Sequence, residues 1–424
     1  MNKKKSISEQ ARVSKEGLAG AEMPLLDLSQ GFAYRGEGNA NLVVALPQSR
    51  IILRFPKSKF SEKSQCEKLE AICRYINLVM RPEMPQYVDP VTIGMLDWAQ
   101  FQLVRERVGL SRPASRLGKD IYYPAALVMP DCALRPPLSS APSAPLLAIE
   151  IKPKLGLFSG PGLCKFCLKQ YYKLHVTKEV DRRSQYCPMD LFSGDSARMS
   201  RAIKALLDAP QNNLRLLVDG VPLPYGQDPG ADGSQEVVAS LLGSQDVLVP
   251  VLVACLLHSS NQVASIRSAS PTLSTKAGKD RCTPSHAGSL PKGCILDTIQ
   301  KLQGRSPLSD IEALELLESL LEKGEEIGQL QEEMTKPAAP GDRLQPLKDY
   351  LLLVTARDLS LILTLAEAGT SERPPVADCL RVREQWICFR WSVIDLDPKS
   401  LNRIPKNVEQ QKLWMEAFLR NRSL

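Results

Sequence analysis

The most constraining feature of this chain is a local order near its start. A turn-forming tetrad, Gly36-Glu37-Gly38-Asn39, is followed by two short apolar runs and then by a helical pattern. The runs, LVVAL at 42–46 and IILRF at 51–55, have strand length and are parted only by residues 47–50. Such a pair predicts an antiparallel hairpin entered through a glycine-rich turn. Residues 61–80 then set Leu69, Ile72, Cys73, Ile76 and Val79 at helical spacing, which predicts a helix over that stretch.

Further along, residues 125–129 and 146–151 read as strands, with a Pro/Ser loop at 135–145 between them. Residues 164–178 and 197–207 read as helices, and 309–331 as an amphipathic acidic helix with Ile311, Leu314, Leu317 and Leu321 on one face. Apolar runs at 350–356 and 359–365, separated by Arg357-Asp358, and at 391–394, leading into Asp395-Leu396-Asp397, read as three strands. The stretch 258–292 is rich in Ser, Thr, Gly and Lys and is expected to be a disordered insertion. No internal repeat is visible. The mix is α+β in two lobes: a flexible segment at 1–30, a smaller lobe at 31–134 and a larger one at 135–424.

Composition narrows the function classes. The longest apolar stretch, DVLVPVLVACLLH at 246–258, is shorter than the roughly 18 residues of a membrane span and is broken by Pro250. The basic start MNKKKSISEQ has no apolar core of a secretory signal, so an intracellular protein, cytoplasmic or nuclear, is expected. The 11 cysteines are scattered singly, apart from Cys164 and Cys167, as in a reducing compartment. Cys164 and Cys167, with His175 and Cys187, could ligate zinc, although structural thiols are the preferred reading. Three histidines exclude a His-rich metal site and most His-based proton transfer. The net charge of +7 favours an anionic partner, whether nucleic acid, acidic lipid or a phosphorylated metabolite.

Four constellations carry chemistry. Glycines in GEGNAN (36–41) let backbone amides approach phosphate oxygens, although a plain hairpin turn has the same composition. Arg54, in the second run, is either a phosphate-facing cation or an ordinary edge charge. In EIKPK (150–154), strand alternation puts Glu150 and Lys152 on one face, and Pro153 stops the ladder before Lys154. Lys165, Lys169 and Lys173 repeat at four-residue spacing, followed by Arg198, Arg201 and Lys204 and by Gln211-Asn212-Asn213-Leu214-Arg215. Like charges stacked on a helix destabilise it unless an anion binds there, or unless the face is simply solvated. Finally, Asp358 and Asp395 sit at ends of apolar runs, where acids serve either as catalytic carboxylates or as turn formers.

Together these residues resemble the inositol-pentakisphosphate 2-kinases. The resemblance rests on YRGEGNANLVVAL (34–46), AIEIKPKLG (148–156), KFCLKQYYKL (165–174), YCPMDLFSGDSARMSRAIKALLDAPQNNLR (186–215), TARDLSLIL (355–363) and VIDLDPK (393–399), which succeed one another in the family's order. It implies a two-lobed kinase-like fold, with a glycine-rich hairpin in the small lobe and helical insertions in the large one. It also implies transfer of phosphate from ATP, with Mg2+, to the 2-hydroxyl of inositol 1,3,4,5,6-pentakisphosphate. By position, Gly36, Glu37, Gly38, Asn39, Ala40, Asn41 and Arg54 would hold nucleotide phosphates, Asp131 would lie near the adenine, and Glu150 would place the nucleoside. Lys152 would bridge the transferred phosphate and the substrate, Asp358 would be the base, and Asp395 would bind magnesium. Arg116, Lys154, Lys173, Asn212, Asn213, Arg215 and Lys399 would contact the inositide. The plant members' zinc motif is absent, and Cys282, His286 and Cys294 do not reproduce its spacing. A monomer is expected, with no nucleic acid and no membrane insertion. An inositide-binding protein without catalysis and a nucleic-acid-binding protein are the competing readings; the two acids speak against the first, and scarce aromatic interleaving against the second.

Overall fold

The computed structural model describes residues 24–59, 63–157, 163–223, 238–240, 242, 245–259, 265–266, 289–374 and 378–421. Residues 1–23 of the expected flexible segment and most of the expected insertion, Cys282 and His286 included, lie outside them. The chain divides into two compact units, Met1–Pro82 with Asp89–Asp131, and Glu83–Val88 with Cys132–Leu424.

In the first unit, β1 (Ala33–Glu37), β2 (Asn41–Leu46), β3 (Ile51–Pro56), β4 (Thr92–Met95) and β5 (Ala125–Pro130) form one antiparallel sheet in the order β1-β2-β3-β5-β4. The expected hairpin is β2–β3, with Val44 opposite Leu53. The glycine turn does not open that hairpin: it joins β2 to the preceding β1, whose AYRGE sequence lacks an apolar alternation. The predicted helix begins as α1 (Lys63–Tyr75) and then widens into a π-helical turn at Ile76–Met80. There the Asn77 side chain clasps Val91, donating to its carbonyl at 2.7 Å and accepting its N–H at 3.0 Å. Leu42, Val44, Leu46, Leu53 and Phe55 are buried against Phe101, Val104 and Val108 of α2 (Trp98–Gly109).

The second unit is built on a seven-stranded sheet. Its strands are β6 (Leu147–Ile151), β7 (Leu214–Val218), β8 (Val221–Pro222), β9 (Ser265–Ile266), β10 (Ser360–Glu367), β11 (Cys379–Val382) and β12 (Gln385–Ile394), in the order β8-β7-β6-β10-β12-β11-β9. All pairs are antiparallel except β11 with β9. Around the sheet lie α3 (Lys165–Tyr172), the short α4 (Pro188–Leu191), α5 (Ser196–Asp208), α6 (Leu248–Leu257), α7 (Ile295–Gln303), α8 (Asp310–Glu322), α9 (Ile327–Glu333), α10 (Gln345–Ala356) and α11 (Arg403–Asn421).

Three expectations are corrected here. The run at 350–356 is helix, not strand: α10 starts with Pro346 in its first turn, and Leu347, Tyr350, Leu351 and Val354 are buried at helical spacing. A continuous apolar run carries no period of its own to distinguish the two. Pro250 does not break its stretch, because it falls in the first turn of α6, where no helical N–H is needed. The acidic stretch at 309–331 is two helices, parted after Gly324, whose φ of +85° suits the left-handed end of α8. The buried face of α8 is Ala313, Leu317 and Leu320, while Ile311 is 58% exposed and Leu321 38%.

Strand register decides which chain segments converge. Ile151 of β6 pairs with Leu214 of β7 and with Leu361 of β10, and Leu361 pairs with Val393 of β12. Antiparallel neighbours run in opposite directions, so the exits of β6 and β12 and the entries of β7 and β10 meet at one end of the sheet. Among the described residues no helix is long and apolar enough to cross a membrane.

Candidate active site

At that end, four segments bring together residues far apart in sequence. Lys152 follows β6, and its Nζ lies 3.0 Å from Asp395 Oδ2 and 4.0 Å from Glu150 Oε1. Its backbone N–H donates to Asn213 C=O at 2.8 Å, which ties the corner to the entry of β7. The Ser360 hydroxyl donates to the same Asp395 Oδ2 at 2.9 Å. Asp358 sits just before β10, with Lys399 Nζ 3.5 Å from its Oδ2. Arg215, 59% exposed, reaches Glu150 Oε2 at 4.0 Å.

Electrostatics keep Lys152 and Asp358 charged. Burial pulls Lys152 down, but the Asp395 and Glu150 carboxylates outweigh it and hold the ammonium above the ordinary lysine value. Burial pushes Asp358 up, but Lys399, Arg357, Lys154 and Arg403 outweigh it and hold the carboxyl below the ordinary range. Lys154, Gln211 and Asp395 all have positive φ (63°, 48° and 62°) without being glycine. Such backbone costs energy and persists where surrounding structure dictates it, often at functional sites.

Beside this corner opens a cleft. Six cations line it (Lys154, Lys165, Lys169, Lys173, Arg357 and Arg403) against two carboxylates, Asp310 and Asp358. Asn212 and Asn213 belong to the same wall. Burial lowers Lys154 to about 8, with Lys152 and Lys169 adding to the shift and Asp358 opposing it. Lys169, although exposed to solvent on one side, is also held below the ordinary lysine value by partial desolvation and by Lys173. A surface on which ammonium groups are depressed by desolvation and by one another is suited to a polyanion. The lysine stripe bends here too, since α3 ends at Tyr172 and Lys173 begins a π-helical turn, Lys173–Thr177.

The floor is a hydrogen-bonded chain. Lys165 Nζ lies 2.8 Å from Asp310 Oδ2, Tyr350 Oη–H donates to Asp310 Oδ1 at 2.9 Å, and Asn407 Nδ2 donates to Tyr350 Oη at 3.0 Å. Sequence reasoning singled out Lys165 but missed Asp310, Tyr350 and the face of α11 that carries Arg403, Asn407, Gln410, Gln411 and Trp414. Their spacing at roughly three and four residues was the available signal.

Other expected residues do not line this cavity. Arg198 pairs with Asp190 at 2.7 Å, while Arg201 and Lys204 are exposed; none of the three lines the cavity. Arg116 is exposed and belongs to the first unit, as do Asp131 and the glycine turn. Asp131 is buried, with Arg35 3.4 Å away. Arg54 is buried within β3, opposite Val43 and Leu127, rather than at an exposed edge. The Glu37 side chain is fully enclosed and paired with Lys57 and with Arg112 (2.9 Å), so it serves the turn's own architecture. Gly38 N–H closes the turn onto Asn41 C=O at 2.9 Å, and Ala40 C=O accepts from Lys57 N–H at 2.7 Å. Gly36, with φ +147°, is the position there that demands glycine.

Two features bear on metals. Asp395 offers a hard carboxylate oxygen, 40% exposed, of the kind Mg2+ takes alongside phosphate and water. The Sγ atoms of Cys164, Cys167 and Cys187 lie within 4.8 Å of one another, and among the described residues no fourth His, Cys, Asp or Glu joins them.

Known proteins carry the same arrangement of sequence. The family model described as inositol-pentakisphosphate 2-kinase matches residues 34–412. The chain is 31% identical over 207 residues to the inositol-pentakisphosphate 2-kinase of Danio rerio, covering 44% of this chain and 43% of that protein. It is 29% identical over 338 residues to the same-named protein of Drosophila melanogaster, covering 53% and 54%. For the Arabidopsis thaliana protein of that name the figures are 24% over 444 positions, covering 91% and 93%. The chain thus spans about half the length of the first two relatives and nearly all of the third. With the match extending from residue 34, before the glycine turn, to residue 412 in α11, the chain belongs to the inositol-pentakisphosphate 2-kinase family.

Proposed function

We propose that this protein transfers the γ-phosphoryl group of ATP to the 2-hydroxyl of inositol 1,3,4,5,6-pentakisphosphate, giving the hexakisphosphate. The observation that carries this reading is the six-cation cavity opening beside Lys152, Asp358 and Asp395. Five phosphates need many convergent cations before a hydroxyl can approach another phosphate, and phosphoryl transfer needs positioning and charge stabilisation rather than covalent catalysis.

In this reading the first unit is a kinase-like nucleotide lobe, with the glycine turn and Arg54 against the phosphates. Lys154, Lys173, Asn212 and Asn213 bind the inositide, with Lys165, Lys169, Arg357 and Arg403 added from the cavity. Lys152 compensates charge on the transferred group. Asp358, kept ionised by its cationic surround, orients the 2-hydroxyl and accepts its proton late in transfer. Asp395, held by Lys152 and Ser360, is the residue that would bind magnesium. When bound, that ion neutralises charge developing on the phosphates.

Transfer of labelled phosphate from ATP to the pentakisphosphate, followed by separation of products, tests the reading. Asp358→Ala should abolish product while ATP binding persists; normal turnover in that variant would refute the assignment of the base.

A further inference from the structure

Gln303, the last residue of α7, is completely buried and uses its amide on three sides. Nε2 donates to Lys154 C=O at 2.8 Å and to Ala356 C=O at 3.2 Å, while Oε1 accepts Gly156 N–H at 2.8 Å. Gln300, one turn earlier, donates to Gly156 C=O at 3.3 Å, and Tyr186 Oη–H donates to Pro153 C=O at 2.7 Å. The backbone from Pro153 to Gly156 is therefore gripped at four points by side chains packed around it. Lys154, whose φ is +63°, is held by this grip in a conformation it would not adopt unaided. Ala356 closes α10, and two residues later stands Asp358. One amide thus joins the backbone that presents a cavity cation to the backbone that presents the carboxylate.

We propose that Gln303 is a positioning residue, fixing the separation of Lys154 and Asp358 and so where the inositide hydroxyl lies relative to its proton acceptor. The inference rests on the function proposed above and deepens it. Gln303 touches no reacting atom and acts through the two backbone segments it joins. Misplacement by about 1 Å at a reacting centre can cost on the order of a hundredfold in rate.

The test compares wild type with Gln303→Met, which keeps length and loses every hydrogen bond, and Gln303→Glu, which when protonated keeps one donor and one acceptor. Steady-state kinetics should show KM for the pentakisphosphate rising, and kcat/KM for it falling roughly 10- to 100-fold, in Gln303→Met. KM for ATP should stay within about twofold, and Gln303→Glu should recover part of the loss. A general loss of folding would instead reduce the active fraction and leave both KM values unchanged, and that result overturns the proposal. If Gln303→Met does not fold, Gln303→Glu alone decides, its KM for the inositide rising or not. A wild type that turns over with both variants unaltered sinks the positioning role alone; a wild type that transfers no phosphate sinks the function and the role together.

Discussion

Lys154 offers a direct probe of the cavity. Its ammonium is lowered from the ordinary 10.5 to about 8, chiefly by burial and further by Lys152 and Lys169, with Asp358 and Asp395 opposing. At that value about nine in ten copies carry charge at pH 7 and about one in ten at pH 9. A bound pentakisphosphate holds the group charged, so binding above pH 8 takes up nearly one proton, and Kd should rise roughly tenfold from pH 7 to pH 9, about 1.4 kcal/mol. Calorimetric titration in two buffers of different ionisation enthalpy, without nucleotide, reads both the affinity and the proton. Lys154→Arg stays charged throughout and should lack this step, while the ligand's own phosphates titrate identically in both proteins. The stability sign comes from the same shift. Between about 8 and 10.5 the unfolded chain holds the lysine proton more tightly, so this residue's burial penalty is present below about 8 and eases as pH rises through that window. Identical pH slopes in the two proteins would refute the claim that Lys154 faces the ligand.

The remaining predictions concern the surroundings. Asp310→Asn should destabilise the ligand-free protein by about 3–5 kcal/mol, the cost of stripping one partner from a buried ion pair, since Lys165 and Arg357 lose their shared carboxylate. Pentakisphosphate should raise the melting temperature of that variant more than that of wild type; an equal rise would show that the two cations do not face the ligand. Gly156→Ala would set its Cβ 2.3 Å from Cγ of the buried Phe192 ring, and overpacking of this kind costs about 1–3 kcal/mol. Urea denaturation should show that loss, and an unchanged midpoint would mean that the corner yields easily.

How far the site could be read from sequence depended on how each group announces itself. Lys152, Lys154, Asp358 and Asp395 stand where apolar runs stop, and a charge at such a junction is conspicuous. Their meeting was not derivable from local pattern, because Lys152 and Asp395 are 243 residues apart and only strand register joins them. The apolar run at 350–356 misled for the opposite reason: it is buried on nearly every side, so burial left no period to read. Gln303 and Asn407 look like surface amides in sequence, and their roles come entirely from what packs over them. Glu37 reads as part of a phosphate loop, yet Lys57 and Arg112 claim its carboxylate.

The meeting of four strand ends has a consequence for biosynthesis. The Lys-Pro-Lys corner leaves the ribosome more than two hundred residues before Asp395, and the cavity wall on α11 follows Asp395 in turn. A growing chain therefore carries its cations as scattered, solvated charges with weak hold on any polyanion nearby. The corner closes only when β12 pairs with β10 and brings Asp395 onto Lys152, and the sixth of the cavity's cations, Arg403, arrives later still with α11.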